Sequence, residues 1–247
     1  MRVYYNEFDK KKCAALKALM EDGHISKGDI DDRPIQEVQG HELQGYTRCH
    51  FFAGFGGWDI ALQLAGWEPG RPVCTVSCPC QPYSSSGSSE RQQDERHLWP
   101  YFARLARESR FPEIIGEQVD EAIAAGWLDD AFLDLEAENY ACAAAVFPAF
   151  SVEAKAERQR LYFSAYAIGL RLPEPRRYIH AVSEETAGFG EAAPFIAAVQ
   201  GNALPFLCER HPRIRPGVCH IVNHGIGDSI VPEQAAEFIK AYRECVA

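Results

Sequence analysis

Residues 47–67 have the sequence TRCHFFAGFGGWDIALQLAGW, which contains the clearest fold signal in the chain. A short apolar run leads into three closely spaced glycines, and a helix-like run follows them. Glycines at such a point let the backbone approach a ligand closely, where the amides at the start of a helix face outward. The pattern therefore predicts a β-strand, a glycine loop and an α-helix, which is the repeating unit of an α/β fold.

The glycine spacing distinguishes this loop from two common phosphate-binding loops. Gly54, Gly56 and Gly57 form G-x-G-G rather than G-x-G-x-x-G, and no Lys-Ser or Lys-Thr pair follows. A nucleotide-like cofactor also needs an acid at the end of a neighbouring strand. No suitable acid follows the loop at the usual distance, whereas Glu7 and Asp29 precede it. Either these two acids are solvated turn residues, or the βα units occur in a shuffled order.

Strand-like and helix-like segments alternate along most of the chain. Apolar runs predict strands at 2–5, 71–80, 112–119, 140–150 and 159–168, and helical spacing predicts helices at 10–20, 98–110, 127–140 and after Pro232. This alternation favours an α/β fold with a Rossmann-like, doubly wound, mostly parallel sheet. From about residue 171 the chain is rich in Pro, Gly and Glu with weak periodicity, which predicts a small irregular lobe.

Composition limits the classes of partner and compartment. No run of 18 apolar residues occurs, and the beginning MRVYYNEFDKKKC lacks the apolar core of a signal peptide, so we expect a cytoplasmic protein and no membrane. Nine scattered cysteines disfavour a disulfide framework. The net charge of −10 disfavours a general nucleic-acid coat, but residues 151–224 hold 9 Lys and Arg against 7 Asp and Glu. If a polyanion binds, we expect it to contact residues 151–224.

Residues 77–83, SCPCQPY, carry two cysteines around Pro79, and the loop SSSGSS follows. Cys78 or Cys80 in such an exposed loop is a candidate nucleophile, and a C-x-C pair is also a candidate zinc ligand. A closed zinc site needs a second ligand pair at suitable spacing. The late cluster has cysteines and histidines without a standard zinc spacing: Cys208, His211, Cys219, His220 and His224. We predict no metal site and keep a zinc-binding module as an alternative.

Several motifs together resemble those of the DNA (cytosine-5) methyltransferases. The segments FAGFGG, PCQPYSSSG, GEQV, RQRLYF and GDSIVP are similar to successive motifs of that family. The resemblance covers residues 1–170 and 225–247 and implies methyl transfer from S-adenosylmethionine to carbon 5 of a flipped-out cytosine in duplex DNA. It also accounts for the early acids, because the second and third motifs would precede the first in a permuted chain. The stretch between Asp31 and Arg48 is long enough for the crossover that such an order requires.

The resemblance also implies roles for individual residues. The catalytic set is Cys80 as nucleophile, Glu117 at ring nitrogen 3 and the exocyclic amine, and Arg158 and Arg160 to position the base. The cofactor set is Phe52, Ala53, Gly54, Phe55, Gly56 and Gly57, with Glu7 and Phe8 towards the ribose, Asp29 and Ile30 towards the adenine, and Pro79, Asp228 and Ser229. The substrate set is Gln81, Ser84, Ser85, Arg176 and Arg177.

The chain departs from the family pattern at three places. Gln118 replaces Asn after the catalytic glutamate, Lys155-Ala156 replaces Pro-Gln before the arginine pair, and Asp228 replaces Asn in the last motif. We expect a catalytic and cofactor-binding domain at 1–170, a small target-recognition lobe at 171–224 and a segment at 225–247 that returns to the catalytic domain. A phage or restriction-modification enzyme acting on DNA is the leading hypothesis. An RNA cytosine methyltransferase and a non-catalytic relative are the alternatives.

Overall fold

The computed structural model describes residues 1–79, 98–148, 159–169 and 230–246. The strands are β1 Val3–Asn6, β2 Asp29–Asp31, β3 Arg48–Phe51, β4 Val73–Val76, β5 Glu113–Val119, β6 Tyr140–Pro148 and β7 Gln159–Ala167. The α-helices are α1 Lys10–Glu21, α2 Gly57–Leu64, α3 Trp99–Ser109, α4 Glu121–Ala124, α5 Trp127–Ala137 and α6 Pro232–Val246. Two short 3-10 helices occupy Ile35–Glu37 and Gly40–Leu43.

Within the described residues, seven strands form one mixed sheet in the order β2-β1-β3-β4-β5-β7-β6. The first five are parallel, and β7 runs antiparallel between β5 and β6. The predicted α/β class with a mostly parallel sheet is confirmed. The predicted irregular lobe and the predicted domain boundaries lie outside the described residues, so the division into domains stays a prediction. Within the described ranges, no helix combines the length and the apolarity that a membrane span requires.

The strand order confirms the predicted permutation. β1 lies between β2 and β3, and both β1 and β2 precede β3 in the chain. The connection from β2 to β3 passes β1 through the two 3-10 helices. Because parallel strands end at the same edge of a sheet, the carboxyl ends of β1, β3, β4 and β5 share one edge, called here the carboxyl edge.

Helices cover both faces of the sheet. One face packs against α1, α2 and α6, in clusters that contain Leu16, Trp58 and Phe238. The other face packs against the 3-10 helices, α3 and α5, around Phe102 and Trp127. Strands buried on both faces have few positions for polar side chains, which matches the nearly continuous apolar runs of the sequence. The fold is therefore doubly wound.

Helix α6 is hydrogen-bonded to the amino end of β5. The buried carboxylate of Glu113 accepts hydrogen bonds from the Tyr242 hydroxyl at 2.7 Å and from Arg71 Nε at 2.6 Å. At the other end of the helix, Ile230 lies so close to Gly57 that a Cβ on this glycine would be 2.8 Å from Ile230 Cγ1. The chain segment before α6 is thereby packed against the glycine loop.

Gly116 allows two strands to pack closely beside Glu117. The ring of Phe163, on β7, lies over this glycine, and a Cβ there would be 2.0 Å from Phe163 Cζ. A glycine inside a strand commonly marks such a close approach. The spacing between β5 and the Phe163 ring therefore depends on the absence of a side chain at position 116.

Candidate active site

The glycine loop joins β3 to α2 with an unusual backbone. Phe52, Gly54 and Gly56 have φ values of 53°, 56° and 75°, all in the left-handed region. A bulky residue such as Phe52 adopts this region only when its surroundings enforce it, and such residues cluster at functional sites. The Ala53 amide donates to the Asn6 carbonyl at 3.0 Å, which holds the loop against the end of β1.

Glu7 follows β1 and contacts the glycine loop directly. Its Oε2 accepts a hydrogen bond from the Gly54 amide at 2.8 Å, and its Oε1 accepts one from the Asp9 amide at 2.9 Å. An ionised carboxylate has about four acceptor positions, so about two remain after these bonds. The side chain is oriented by both bonds and keeps capacity for two further donors.

Phe8 is the next residue, and 70% of its surface is exposed. It lies at the carboxyl edge because it continues the chain beyond β1 and Glu7. An exposed aromatic ring beside an oriented carboxylate offers a flat apolar surface together with hydrogen-bond acceptors. The predicted cofactor residues Glu7, Phe8 and Phe52–Gly57 are therefore contiguous in space.

Asp29 and Ile30 do not lie at the level of Glu7 on the neighbouring strand. The register pairs Asp29 with Tyr4 and Ile30 with Tyr5, so Asp29 lies at the amino end of β2. Three residues of strand separate the level of Tyr4 from that of Glu7, which is about 10 Å. Asp29 instead accepts a hydrogen bond from the Tyr46 hydroxyl at 2.6 Å. This register does not support the predicted adenine-side roles of Asp29 and Ile30.

Asp32 is the described carboxylate that follows the carboxyl end of β2. Asp31, the last residue of the strand, pairs in register with Asn6, and its carboxylate accepts from Tyr4 and Arg33. Asp32 is exposed and lies near Cys13, whose thiol donates to the Glu7 carbonyl at 2.8 Å. Burial, the charge of Glu7 and then that of Asp32 raise the pKa of Cys13 to about 11. Sequence reasoning missed Asp32 because only the sheet register identifies it.

Glu117 and Arg160 meet near the carboxyl end of β5. Glu117 lies opposite Tyr162, and Arg160 lies opposite Val119, so the two side chains are diagonal neighbours on one face of the sheet. Arg160 Nε lies 2.8 Å from Glu117 Oε1, and both side chains are mostly buried. The contact is an ion pair, and opposite charges at this separation attract each other more strongly in a buried site than in water. The structure thus brings together two of the four predicted catalytic residues.

The segment that leads to Cys80 is held from two sides. Trp58 Nε1, on α2, donates to Ser77 Oγ at 2.9 Å. Gln118 Nε2, on β5, donates to the Cys78 carbonyl at 3.1 Å. The chain therefore leaves β4 between the glycine-loop helix and the strand that carries Glu117, and Pro79 lies at the same carboxyl edge.

Other predicted site residues lie outside the described part of the chain, and their roles stay predictions: Cys80, Gln81, Ser84, Ser85, Arg158, Arg176, Arg177, Asp228 and Ser229. The late Cys and His cluster lies there too. Among residues that the structure does describe, no group of three or more His, Cys, Asp or Glu side chains is arranged to hold a metal ion.

Sequence reasoning also missed a buried polar cluster beneath the glycine loop. Asp59, on α2, lies 2.9 Å from Arg48 Nη1 and 3.7 Å from His50 Nε2, and His50 Nδ1 lies 2.7 Å from Thr75 Oγ1. The carboxylate also accepts from the Ser26 amide at 2.7 Å. Polar residues at alternate positions of a buried strand were the available signal. This cluster attaches the first turn of α2 to β3 and β4.

The family comparison agrees with the resemblance seen in the sequence. Residues 72–189 match the family model described as C-5 cytosine-specific DNA methylase, which is just under half of the chain. No curated protein sequence matches significantly.

Three solved structures are similar to this chain at low sequence identity. A mutant of DNMT2 from Spodoptera frugiperda has 14% identity and a TM-score of 0.43, covering 72% of this chain and 53% of its own. An E. coli prophage protein assigned as a DNA modification methyltransferase has 15% identity, a TM-score of 0.42, and coverage of 70% and 49%. The Entamoeba histolytica methyltransferase EhMeth has 16% identity, a TM-score of 0.38, and coverage of 74% and 57%. The chain spans about half the length of these proteins.

Proposed function

We propose that the chain methylates carbon 5 of cytosine in DNA, from the premise that residues 72–189 match the family model of the C-5 cytosine-specific DNA methylases. S-adenosylmethionine is the proposed methyl donor. The observation that carries the proposal is the Glu117–Arg160 pair at the carboxyl edge that also bears the glycine loop. The chain enters the Pro-Cys-Gln segment between these two features.

The residues at the glycine loop fit an adenosyl group. Glu7 has two acceptor positions beyond its bonds to Gly54 and Asp9, which matches the two hydroxyls of a ribose. The exposed ring of Phe8 matches the flat face of an adenine. Asp32 offers a further acceptor for an exocyclic amine. When bound, S-adenosylmethionine supplies a methyl group on a sulfonium, which the ring carbon of cytosine attacks.

Cytosine carbon 5 is a weak nucleophile, and we assign its activation to Cys80. The thiolate adds to carbon 6, forming a carbon–sulfur bond and breaking the 5,6 double bond. The displaced electron pair makes carbon 5 enamine-like, and this carbon takes the methyl group. A base then removes the carbon 5 proton, and departure of the Cys80 thiolate restores the double bond.

We assign recognition of the polar edge of the base to Glu117 and Arg160. Addition at carbon 6 increases electron density on the ring, which a proton held at nitrogen 3 relieves. Glu117 would hold that proton and accept from the exocyclic amine, while Arg160 fixes the direction of its carboxylate. Prearranged groups of this kind stabilise charge in a transition state without reorganising. We assign Arg158 the same role of positioning the base.

DNA is the proposed substrate, with RNA as the second candidate. The reacting face of cytosine is hidden in a duplex, so the base must leave the stack at a cost of a few kcal/mol. We propose that this occurs in the cytoplasm of a bacterial or phage-infected cell. The basic residues of 151–224 favour a polyanion near the later part of the chain.

A covalent trap tests the proposed function. Duplex DNA with 5-fluorocytosine should form a stable adduct with the native chain in the presence of S-adenosylmethionine, because fluorine replaces the proton that must leave. Denaturing electrophoresis and mass spectrometry would detect and localise the adduct at Cys80, and Cys80→Ser is the matched control. An adduct with fluorinated RNA alone would show that the substrate is RNA and not DNA. No adduct with either substrate would identify a non-catalytic relative.

The cofactor assignment predicts that Glu7→Gln weakens binding of S-adenosylmethionine. The amide retains one acceptor oxygen but places an NH₂ group near a backbone donor and removes the charge that attracts two hydroxyls. A loss of about 1.5–3 kcal/mol per charged hydrogen bond predicts a Kd roughly 10- to 150-fold higher. Isothermal titration calorimetry measures it, with Glu136→Gln on the exposed side of α5 as control. An unchanged Kd would remove Glu7 from the cofactor site.

A further inference from the structure

Gln118 makes two hydrogen bonds that connect β5 to the segment before Cys80. Its side chain is 2% exposed and lies on the face of the sheet opposite Glu117. Nε2 donates to the Cys78 carbonyl at 3.1 Å, and Oε1 accepts from the Val119 amide at 2.9 Å. Both ends of the amide are thus engaged, and neither group it contacts belongs to the proposed substrate or cofactor set.

The bond to Cys78 acts two residues before the proposed nucleophile. Pro79 lies between Cys78 and Cys80 and has a nearly fixed φ, so little backbone freedom separates the anchored carbonyl from the next residue. Two peptide units span at most about 7 Å. On the other side, the bond from Trp58 to Ser77 holds the same segment to α2. The direction in which the chain approaches Cys80 is therefore set by side chains of β5 and α2.

We propose that Gln118 is a positioning residue that sets the location of Cys80 relative to Glu117, an inference that rests on the proposed function. Neighbouring residues of one strand would serve the two halves of the site: Glu117 the base, and Gln118 the chain that carries the nucleophile. The position has Asn in the family pattern and Gln in this chain. An Asn side chain is shorter by one methylene and cannot hold both of these bonds in the present backbone arrangement.

The test compares Gln118→Met and Gln118→Asn with the native chain by two independent measurements. Methionine has a similar length and volume but makes neither bond. We expect kcat for methyl transfer to fall about 10- to 100-fold in Gln118→Met, because a displacement near 1 Å of a reacting group has effects of this size. The Kd of S-adenosylmethionine should change less than about twofold, since Gln118 does not contact that site. Gln118→Asn should give an intermediate kcat.

Hydrogen exchange provides the second measurement and does not require activity. Loss of the bond to Cys78 should accelerate amide exchange in the peptide that contains Cys78 and Cys80 by about fivefold or more in Gln118→Met. Mass spectrometry of the full chain resolves this peptide. Unchanged exchange there would overturn the inference, and so would faster exchange with an unchanged kcat.

Tyr140→Phe is the matched control for a general loss of stability. Tyr140, on β6, is buried, and its hydroxyl donates to the Phe111 carbonyl at 2.8 Å, near the amino end of β5 and away from the carboxyl edge. We expect a comparable decrease in stability to urea but no change in kcat or in exchange of the Cys78 peptide. Equal loss of kcat in both variants would refute a specific role for Gln118. If the native chain transfers no methyl group, the proposed function fails, and hydrogen exchange alone still decides whether Gln118 anchors this segment.

Discussion

A Glu117→Gln variant is expected to transfer methyl groups about 100- to 10,000-fold more slowly than the native chain. The amide has nearly the same shape, so the backbone of β5 should not change. It lacks the charge that Arg160 orients at 2.8 Å, and it cannot hold a proton at ring nitrogen 3. Single-turnover methyl transfer to duplex DNA with labelled S-adenosylmethionine measures the effect, because it isolates the chemical step from product release.

Glu108→Gln is the matched control for this prediction. Glu108 also pairs with an arginine, at 3.0 Å from Arg104 Nη1, but it lies on α3 and contacts the Gly40 amide, away from the carboxyl edge. Its substitution should leave the single-turnover rate within about twofold of native, as expected for a site that touches neither substrate nor cofactor. A Glu117→Gln variant with a native rate would exclude Glu117 from the chemistry, even if the trap at Cys80 succeeds.

An Asp59→Asn variant is expected to lose about 3–5 kcal/mol of unfolding free energy, because it leaves buried partners uncompensated. Asp59 is completely buried and accepts from Arg48 and from the Ser26 amide, and Gln63 Nε2 donates to it at 2.7 Å. Removal of its charge leaves the Arg48 guanidinium without its anion inside the protein. Urea unfolding followed by circular dichroism gives the difference. Asp129→Asn, on the exposed side of α5, should change stability by less than about 0.5 kcal/mol.

The same variant should show the pH dependence of this carboxylate. Burial raises the pKa of Asp59, but the His50 ring at 3.7 Å and the hydrogen bonds from Ser26 and Gln63 lower it by more, so the pKa lies well below its usual range. The folded-state pKa lies below the unfolded value of about 3.9. The ionised carboxylate therefore contributes its full stabilisation above pH 3.9. That contribution is lost as the pH falls through the folded-state pKa. The stability gap between native and Asp59→Asn should thus be constant near neutral pH and shrink under acid. A gap that widens below pH 4 would contradict this account.

The short glycine-rich stretch at 47–67 contained most of the information about the fold class. A strand, a loop with three glycines and a helix are local features, and their pattern depends on residues a few positions apart. The order of motifs along the chain likewise indicated a permuted arrangement, since the acids of β1 and β2 precede β3. The strand order confirmed it because sheet neighbours are determined by pairing and not by position in the chain.

Local sequence patterns did not predict which residues lie next to one another across the sheet. Asp29 and Asp32 belong to one acidic segment, and which of them lies near Glu7 depends on a register that shifts by about 3.3 Å per residue. The contact of Glu117 with Arg160 arises from an antiparallel pairing between strands that are distant in sequence. The cluster of Arg48, His50 and Asp59 also forms only when α2 packs on β3.

The α/β class, the family resemblance and the candidate nucleophile could therefore be predicted from local sequence, because each depends on residues that are near one another in the chain. The tertiary structure showed that Asp32 rather than Asp29 follows the strand end beside Glu7, that Arg160 contacts Glu117, and that Gln118 donates to the Cys78 carbonyl. Those relations depend on strand register and on packing between faces, where a displacement of a few ångströms exchanges one hydrogen-bond partner for another.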